Sequence, residues 1–236
     1  MPFTLAHPAA VLPLRRLCPR YFNFPALVAG SIAPDAGYCF GSLHLEEVSH
    51  SAIGSVEFCL PVGLVMLGFF YGLRGPVADN LPERQRQLFA PLCRRPMGSV
   101  LVLVVSLMAG ISLHLLLDSF THRQGWLVQH WPLLQASIFS VGAREFRIFN
   151  LLWCLGSFVG LAWLLFAWDQ WRNATAEMAR PANFGRRLGK AALISALMLP
   201  VALVHYLLPG AAGLALTAGL CLLVALVMAW KNAGRF

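Results

Sequence analysis

The sequence feature that most constrains the fold of this chain is a membrane-length apolar segment that carries a histidine and an aspartate. Residues 100–120 read VLVLVVSLMAGISLHLLLDSF and include His114 and Asp118. A carboxylate inside such a segment costs about 2.5–3.5 kcal/mol on insertion scales, so it indicates a use for the charge. The two side chains stand four residues apart and share one helix face, which His122 continues. We interpret this series as a buried metal site or proton-handling site at a membrane boundary.

The composition indicates an integral membrane protein. Hydrophobic residues make up 58% of the chain and charged residues 12%, whereas soluble domains carry about 25% charged residues. A spanning helix needs about 20 apolar residues. The candidate spans are residues 53–73, 100–120, 149–168, 191–208 and 211–230. The sequence therefore predicts an all-α fold, a polytopic bundle of about five transmembrane helices.

Two shorter apolar stretches precede the predicted spans. Residues 3–14 and 24–32 are helix candidates, and the second is too short to cross a bilayer. We expect both to be interfacial or re-entrant helices. Irregular backbone at membrane depth must be buried in protein or line a watery cavity, so the APDAG turn with Asp35 should face one. We treat residues 1–236 as a single membrane domain, with the polar site in residues 1–122 and an apolar helical half in residues 149–230.

The net charge of +8 comes from basic residues located between the apolar segments. Basic loops mark the cytoplasmic side of a membrane protein. We therefore expect these basic residues to contact lipid headgroups rather than nucleic acid. We also expect residues 74–95 and 172–190 to lie in the cytoplasm and residues 121–148 to lie outside. On this topology the N-terminal basic residues Arg15, Arg16 and Arg20 would lie at the outer face.

Further metal-ligand types occur near the predicted spans. His7 lies in MPFTLAHPAA, Asp35 in APDAG, and His50 just before the first span, where the topology gives it the depth of Asp118. Imidazole and carboxylate groups suit zinc, manganese or iron. The proposed metal ligands are His7, Asp35, His50, His114 and Asp118, and a zinc-like divalent ion is the expected cofactor. Such a set exceeds one tetrahedral shell and would suit a two-metal hydrolytic site.

Two residues are candidates for catalysis beside these ligands. Glu57 follows His50 by seven residues, so a continuous helix would place it on the same face as a general base or an outer-shell partner. His122 ends the series that begins at His114. Lone histidines such as His130 and His205 are more often satisfied polar residues than ligands.

Other functions remain open from the residues alone. The His114 and Asp118 pair could be an interhelical hydrogen bond that stabilises the bundle, and Asp35 could cap a helix. A non-catalytic protein with a structural metal or polar cluster is one alternative. A small transporter with a proton or metal relay through Asp118, Glu57 and His114 is another.

Four segments in order resemble an uncharacterised bacterial membrane family, domain of unknown function 4184. They are MPFTLAHPAAVLPL, AGSIAPDAGY, SHSAIGSVEFCLPVGL and GISLHLLLDSFTH. More distantly, the order of His, Pro-Asp, His-Ser and His-x3-Asp resembles inner-membrane metal-dependent hydrolases and zinc-dependent phospholipase C. This resemblance implies a multi-pass protein of the bacterial cytoplasmic membrane and, through the more distant relatives, metal-dependent hydrolysis, but it implies no substrate. Our leading interpretation is a hydrolase at the outer face of that membrane, with a phosphoester in a lipid or lipid-linked molecule as the natural substrate class. Ala36, Gly37 and Tyr38 stand where the hydrolase pattern has a further acidic residue and histidine.

Overall fold

In the computed structural model, the chain is mostly helical. The structure describes residues 4–18, 20–40, 42–81, 83–141, 144–175 and 185. The helices are α1 (Pro8–Leu17), α2 (Phe24–Ile32), α3 (Leu43–Ser49), α4 (Ala52–Gly54), α5 (Leu60–Asp79), α6 (Glu83–Cys93), α7 (Val100–Thr121), α8 (Trp126–His130), α9 (Pro132–Gln135) and α10 (Ile148–Thr175). Two 3₁₀ segments, Thr4–Ala6 and Ala33–Phe40, and a π-helical stretch, Ser55–Cys59, complete the helical part.

Within the described ranges, three helical segments are long and apolar enough to cross a membrane. They are Ala52–Asp79, Val100–His130 and Ile148–Arg172, and they correspond to the first three predicted spans. The two further predicted spans, residues 191–208 and 211–230, lie outside the described residues.

The first two helices form a short antiparallel hairpin packed against α7. α2 has the predicted bounds, and its N-cap Asn23 is held at the far end of the bundle, where its side chain donates to the Met97 carbonyl oxygen. α1 runs toward that same end, because the Arg16 guanidinium donates to Gln170 near the end of α10. Arg16 therefore lies at the same end of the bundle as Gln170, and the expectation that places it at the end opposite the basic loops is wrong.

Helices α2 and α7 pack unusually closely at two glycines. A Cβ atom added to Gly110 would lie 2.3 Å from the Leu27 carbonyl oxygen, and one added to Gly30 would lie 2.2 Å from the Leu107 carbonyl oxygen. Small residues allow such close approach between helices in membranes. Leu27 and Leu107 are fully buried here, so this contact anchors the hairpin on the span that carries His114.

A small antiparallel β-hairpin interrupts the otherwise helical chain. Its strands are β1 (Ser137–Val141) and β2 (Arg144–Arg147). Phe139 pairs with Phe146, and their rings stack with centroids 4.8 Å apart. The all-α prediction missed this pair because its strands are short and lie in a connector between spans.

Candidate metal centre

Six polar side chains from separate segments meet at the end of α7. We refer to them as the polar cluster; they are His7, Asp35, His50, His114, Asp118 and His122. His114, Asp118 and His122 follow one another along α7 and its C-cap. The other three come from the chain preceding the first span, so the cluster is assembled by tertiary packing.

The segments that carry His7, Asp35 and His50 are held in place by the surrounding fold. His7 precedes α1, and the adjacent Ala6 packs against Gly160 of α10, where an added Cβ would lie 2.9 Å from the Ala6 Cβ. Asp35 lies in the 3₁₀ segment Ala33–Phe40 and is buried. His50 is the C-cap of α3. Each of these three side chains therefore lies at or near the end of a segment that is packed in the fold.

Four of these residues could hold one metal ion. Ligand atoms of Asp35, His50, His114 and Asp118 all lie within 4.8 Å of one another. We refer to this group as the four-residue site. It combines two carboxylates with two imidazoles, a donor set that suits zinc and related divalent ions.

Four of the six separations between its donors are close to those around a tetrahedral ion. Ligands about 2.0–2.2 Å from a tetrahedral zinc lie about 3.3–3.6 Å from one another. His114 Nε2 lies 3.4 Å from Asp35 Oδ1 and 3.2 Å from Asp118 Oδ2. His50 Nε2 lies 3.7 Å from the same Asp35 oxygen and 3.4 Å from the same Asp118 oxygen. These four separations lie within about 0.1 Å of that range, and all four donors lie within 4.8 Å of one another.

Backbone carbonyls orient the two imidazoles of this site. His114 Nδ1 lies 2.8 Å from the Ser31 carbonyl oxygen, and His50 Nδ1 lies 2.9 Å from the Glu46 carbonyl oxygen. Each Nδ1 donates to its carbonyl, because a carbonyl oxygen only accepts. The Nε2 lone pair of each ring therefore points into the cluster, as in metal-binding histidines held by an outer-shell acceptor.

Buried polar atoms without partners are concentrated in the cluster. Among the described residues, eight buried side-chain atoms lack a hydrogen-bond partner, and all belong to cluster members: both ring nitrogens of His7, all four carboxylate oxygens of Asp35 and Asp118, and the Nε2 atoms of His50 and His114. Leaving a buried polar group unsatisfied costs about 1–3 kcal/mol. A cation among these atoms would satisfy them together.

Electrostatics in the cluster also favour a positive charge among the carboxylates. Burial alone lowers the pKa of His50, but the facing carboxylates of Asp118 and Asp35 outweigh burial and raise the pKa to about 9. Burial, reinforced by neighbouring His114, lowers the pKa of His7 to about 4 despite Asp118. His7 is therefore neutral at pH 7 and has a free lone pair.

Burial is uneven across the cluster. The His7 and His114 side chains are 0% exposed, whereas His50 is 17% and His122 is 26% exposed. Solvent therefore reaches the cluster at His50 and His122.

The structure does not bring Glu57 to the cluster. Its side chain is exposed, and no hydrogen bond or ion pair within the described part of the chain joins it to a cluster member. The chain turns between His50 and Ala52, and residues Ser55–Cys59 are π-helical. Because the helix is not continuous from His50, a seven-residue spacing does not place the two side chains on one face.

The remaining histidines lie apart from the cluster or outside the described residues. His44 is exposed, and His130 is exposed with its ring stacked on Trp126 at 4.5 Å; His205 is not among the described residues. Sequence reasoning missed the carbonyls of Ser31 and Glu46, since any residue supplies a carbonyl. It also missed Tyr38, whose ring lies 5.3 Å from that of His50.

Together, the fold and the cluster define a helical membrane protein with a buried aspartate–histidine group able to hold a metal ion. The chain belongs to the family described as domain of unknown function (DUF4184), whose model matches residues 1–232. The resemblance to this family found in the sequence is thereby confirmed, whereas the more distant resemblance to metal-dependent hydrolases stays a prediction. No curated protein and no solved structure matches the chain.

Proposed function

We propose that this protein is a metal-dependent hydrolase that cleaves a phosphoester in a lipid or lipid-linked substrate at the outer face of a bacterial cytoplasmic membrane. The observation that carries the proposal is the convergence of eight partnerless buried atoms on one group of aspartates and histidines. The four-residue site would hold the ion, and zinc fits its donors best.

The partial exposure of the cluster favours catalysis over a purely structural metal. Structural zinc sites are closed to solvent, whereas catalytic sites keep a position open for water or substrate. Solvent reaches the cluster at His50 and His122. His122 is the C-cap of α7, a membrane-length helix, and the end of such a helix is where the phosphate of a lipid headgroup would be.

The proposed reaction is hydrolysis. The metal would supply Lewis acidity and a water activated at neutral pH. The water oxygen forms a bond to phosphorus, the bond from phosphorus to the alcohol oxygen breaks, and the leaving oxygen takes a proton. The products are a phosphate ester and an alcohol. Of the two candidate catalysts, only His122 lies close enough to the site to affect this step, since Glu57 is exposed and outside the cluster.

Phospholipid hydrolysis by the detergent-purified protein tests this function. Mixed micelles with phosphatidylcholine, phosphatidylethanolamine or phosphatidylglycerol would be assayed for released alcohol and phosphate ester. We expect release from at least one lipid, its loss after chelation, its recovery with zinc, and its loss in Asp118→Asn but not in His130→Gln. Bound metal together with no release from any lipid would instead support a structural metal site.

A further inference from the structure

Large apolar side chains are exposed on the connector between the second and third spans. Each is about half exposed or more, and we refer to them as the connector face: Trp126, Trp131, Leu133, Ile138 and Phe139. We propose that the connector face is inserted among the acyl chains of the lipid leaflet that borders the polar cluster. The connector would then be a membrane-embedded platform rather than a loop in water. This lipid contact does not require a bound metal.

The connector is uncharged along most of its length. Residues 124–143 contain no Asp, Glu, Lys or Arg. An uncharged run of about 20 residues is long enough for a spanning helix, but the structure folds it into α8, α9 and strand β1. A segment that folds in water usually carries charged residues, at about a quarter of its positions. The composition of the connector therefore favours contact with lipid.

The length of α7 places the start of the connector at the boundary of the hydrocarbon core. α7 has 22 residues, and a rise of about 1.5 Å per residue makes it about 33 Å long. The hydrocarbon core of a bilayer is about 30 Å thick. The end of α7 therefore lies where the acyl chains meet the headgroups, and α8 begins just beyond it, at Trp126.

Packing keeps the connector at this depth. Val128 of α8 and Leu134 of α9 form a buried cluster with Phe149, in the first turn of α10. The Ile148 amide donates to the Ala136 carbonyl oxygen at 3.1 Å, which ties the middle of the connector to the start of α10. The inner side of the connector thus packs on the ends of two spans. Its outer side is left for the surrounding bilayer.

The residue types on the outer side suit lipid better than another protein surface. Trp rings are enriched at membrane interfaces, and interfacial segments insert Trp, Phe and Leu about 5–10 Å into the boundary of headgroups and acyl chains. The chain also runs from the connector directly into α10, where Leu151 and Leu155 are exposed on a membrane-length helix. The connector face therefore continues a surface that already meets lipid.

The connector is fixed next to the polar cluster. Gly125 precedes α8, and a Cβ atom added to it would lie 2.7 Å from the Asp118 carbonyl oxygen and 2.6 Å from that of Ser119. The turn into α8 thus lies directly against the end of α7 that carries Asp118 and His122. Lipids around the connector face therefore have their phosphates at the level of His122.

Photocrosslinking of the full chain in nanodiscs of phosphatidylethanolamine and phosphatidylglycerol tests the proposal. Photoreactive p-benzoylphenylalanine would replace Trp131, Leu133 or Phe139 in turn, and mass spectrometry would identify the adducts. We expect adducts on phospholipid acyl chains at all three positions. The matched control is Gln85, which is exposed on α6 beside the ion pair of Glu83 and Arg86. It should give no acyl-chain adduct.

The contrary outcomes are distinct. No lipid adduct at any of the three positions overturns the proposal and leaves the connector face in water. Crosslinks between two copies of the chain, in place of lipid adducts, overturn it by making the face an oligomer interface. An equal lipid yield at Gln85 also overturns it.

Tryptophan fluorescence in nanodiscs with brominated acyl chains decides if the photoreactive variants fail to fold. Bromine atoms on the acyl chains quench tryptophans that lie among them. We expect Trp126→Phe and Trp131→Phe each to lose part of the quenchable emission of the parent. Equal quenchable emission in the parent and in both variants overturns the proposal.

Discussion

Gly110→Ala is the substitution that best probes how packing builds the metal centre. Gly110 lies one turn before His114 on α7 and faces α2. The added Cβ would stand 2.3 Å from the Leu27 carbonyl oxygen and 2.8 Å from the Ser31 amide nitrogen. Both are backbone atoms, so no side-chain rotation relieves the clash.

The movement of α2 that relieves this clash is large enough to break the hydrogen bond between Ser31 and His114. α2 must retreat by about 1 Å to reach an ordinary contact of 3.4 Å. The Ser31 carbonyl oxygen, now 2.8 Å from His114 Nδ1, moves with it. An additional 1 Å or so stretches this bond beyond hydrogen-bonding length. Losing the outer-shell acceptor of a metal-binding histidine typically lowers metal affinity about 10–100-fold, and overpacking costs about 1–3 kcal/mol of stability.

Competition against a metal indicator, with the melting temperature followed in the same detergent, measures both effects. Gly68→Ala on α5 is the matched control, because an added Cβ there meets nothing within 4 Å. We expect Gly110→Ala to bind zinc about 10–100-fold more weakly and to melt earlier. Parental affinity in a variant that melts earlier would refute the role of this helix contact in orienting His114.

Three further predictions follow from the structure. The carboxylates raise the pKa of His50 to about 9, so a bound metal must displace the proton of this ring. Zinc affinity should therefore rise about tenfold per pH unit from pH 7 to 8.5. A pH-independent zinc affinity, corrected for the competing chelator, would contradict this. Glu57→Gln should keep parental metal affinity, since Glu57 is exposed away from the cluster. A loss of metal affinity above about tenfold would show that Glu57 acts at the site after all. In intact cells, an impermeant thiol reagent should label Gln135→Cys but not Gln87→Cys; the opposite pattern would reverse the topology.

The sequence predicted which polar residues come together better than it predicted the way they are assembled. His114 and Asp118 stood out because a charge inside a membrane-length segment is costly. The structure brings His7, Asp35 and His50 to that pair, but no periodicity in the sequence shows this. The positions of His7 and Asp35 depend on the hairpin of α1 and α2, which packs on α7 at Gly30 and Gly110, whereas His50 is brought in by α3.

The misplaced residues have local physical causes. Glu57 was assigned by counting seven residues from His50, and the count fails because the chain turns after α3 and is π-helical at Ser55–Cys59. Arg16 was placed at the outer face because the topology predicted from the basic loops puts the chain before the first span there. In the structure, α1 takes it to the end of the bundle where Gln170 and Arg172 lie.

The metal content of the purified protein tests the central claim most directly. Elemental analysis of the parent, Asp118→Ala and His130→Ala would be made on preparations with the same melting profile. Because Asp118 contacts four histidines of the cluster, we expect at least one zinc-like ion per chain in the parent and in His130→Ala, and depletion in Asp118→Ala. Equal metal content in all three proteins, or no metal in any of them after reconstitution with zinc, would contradict the account.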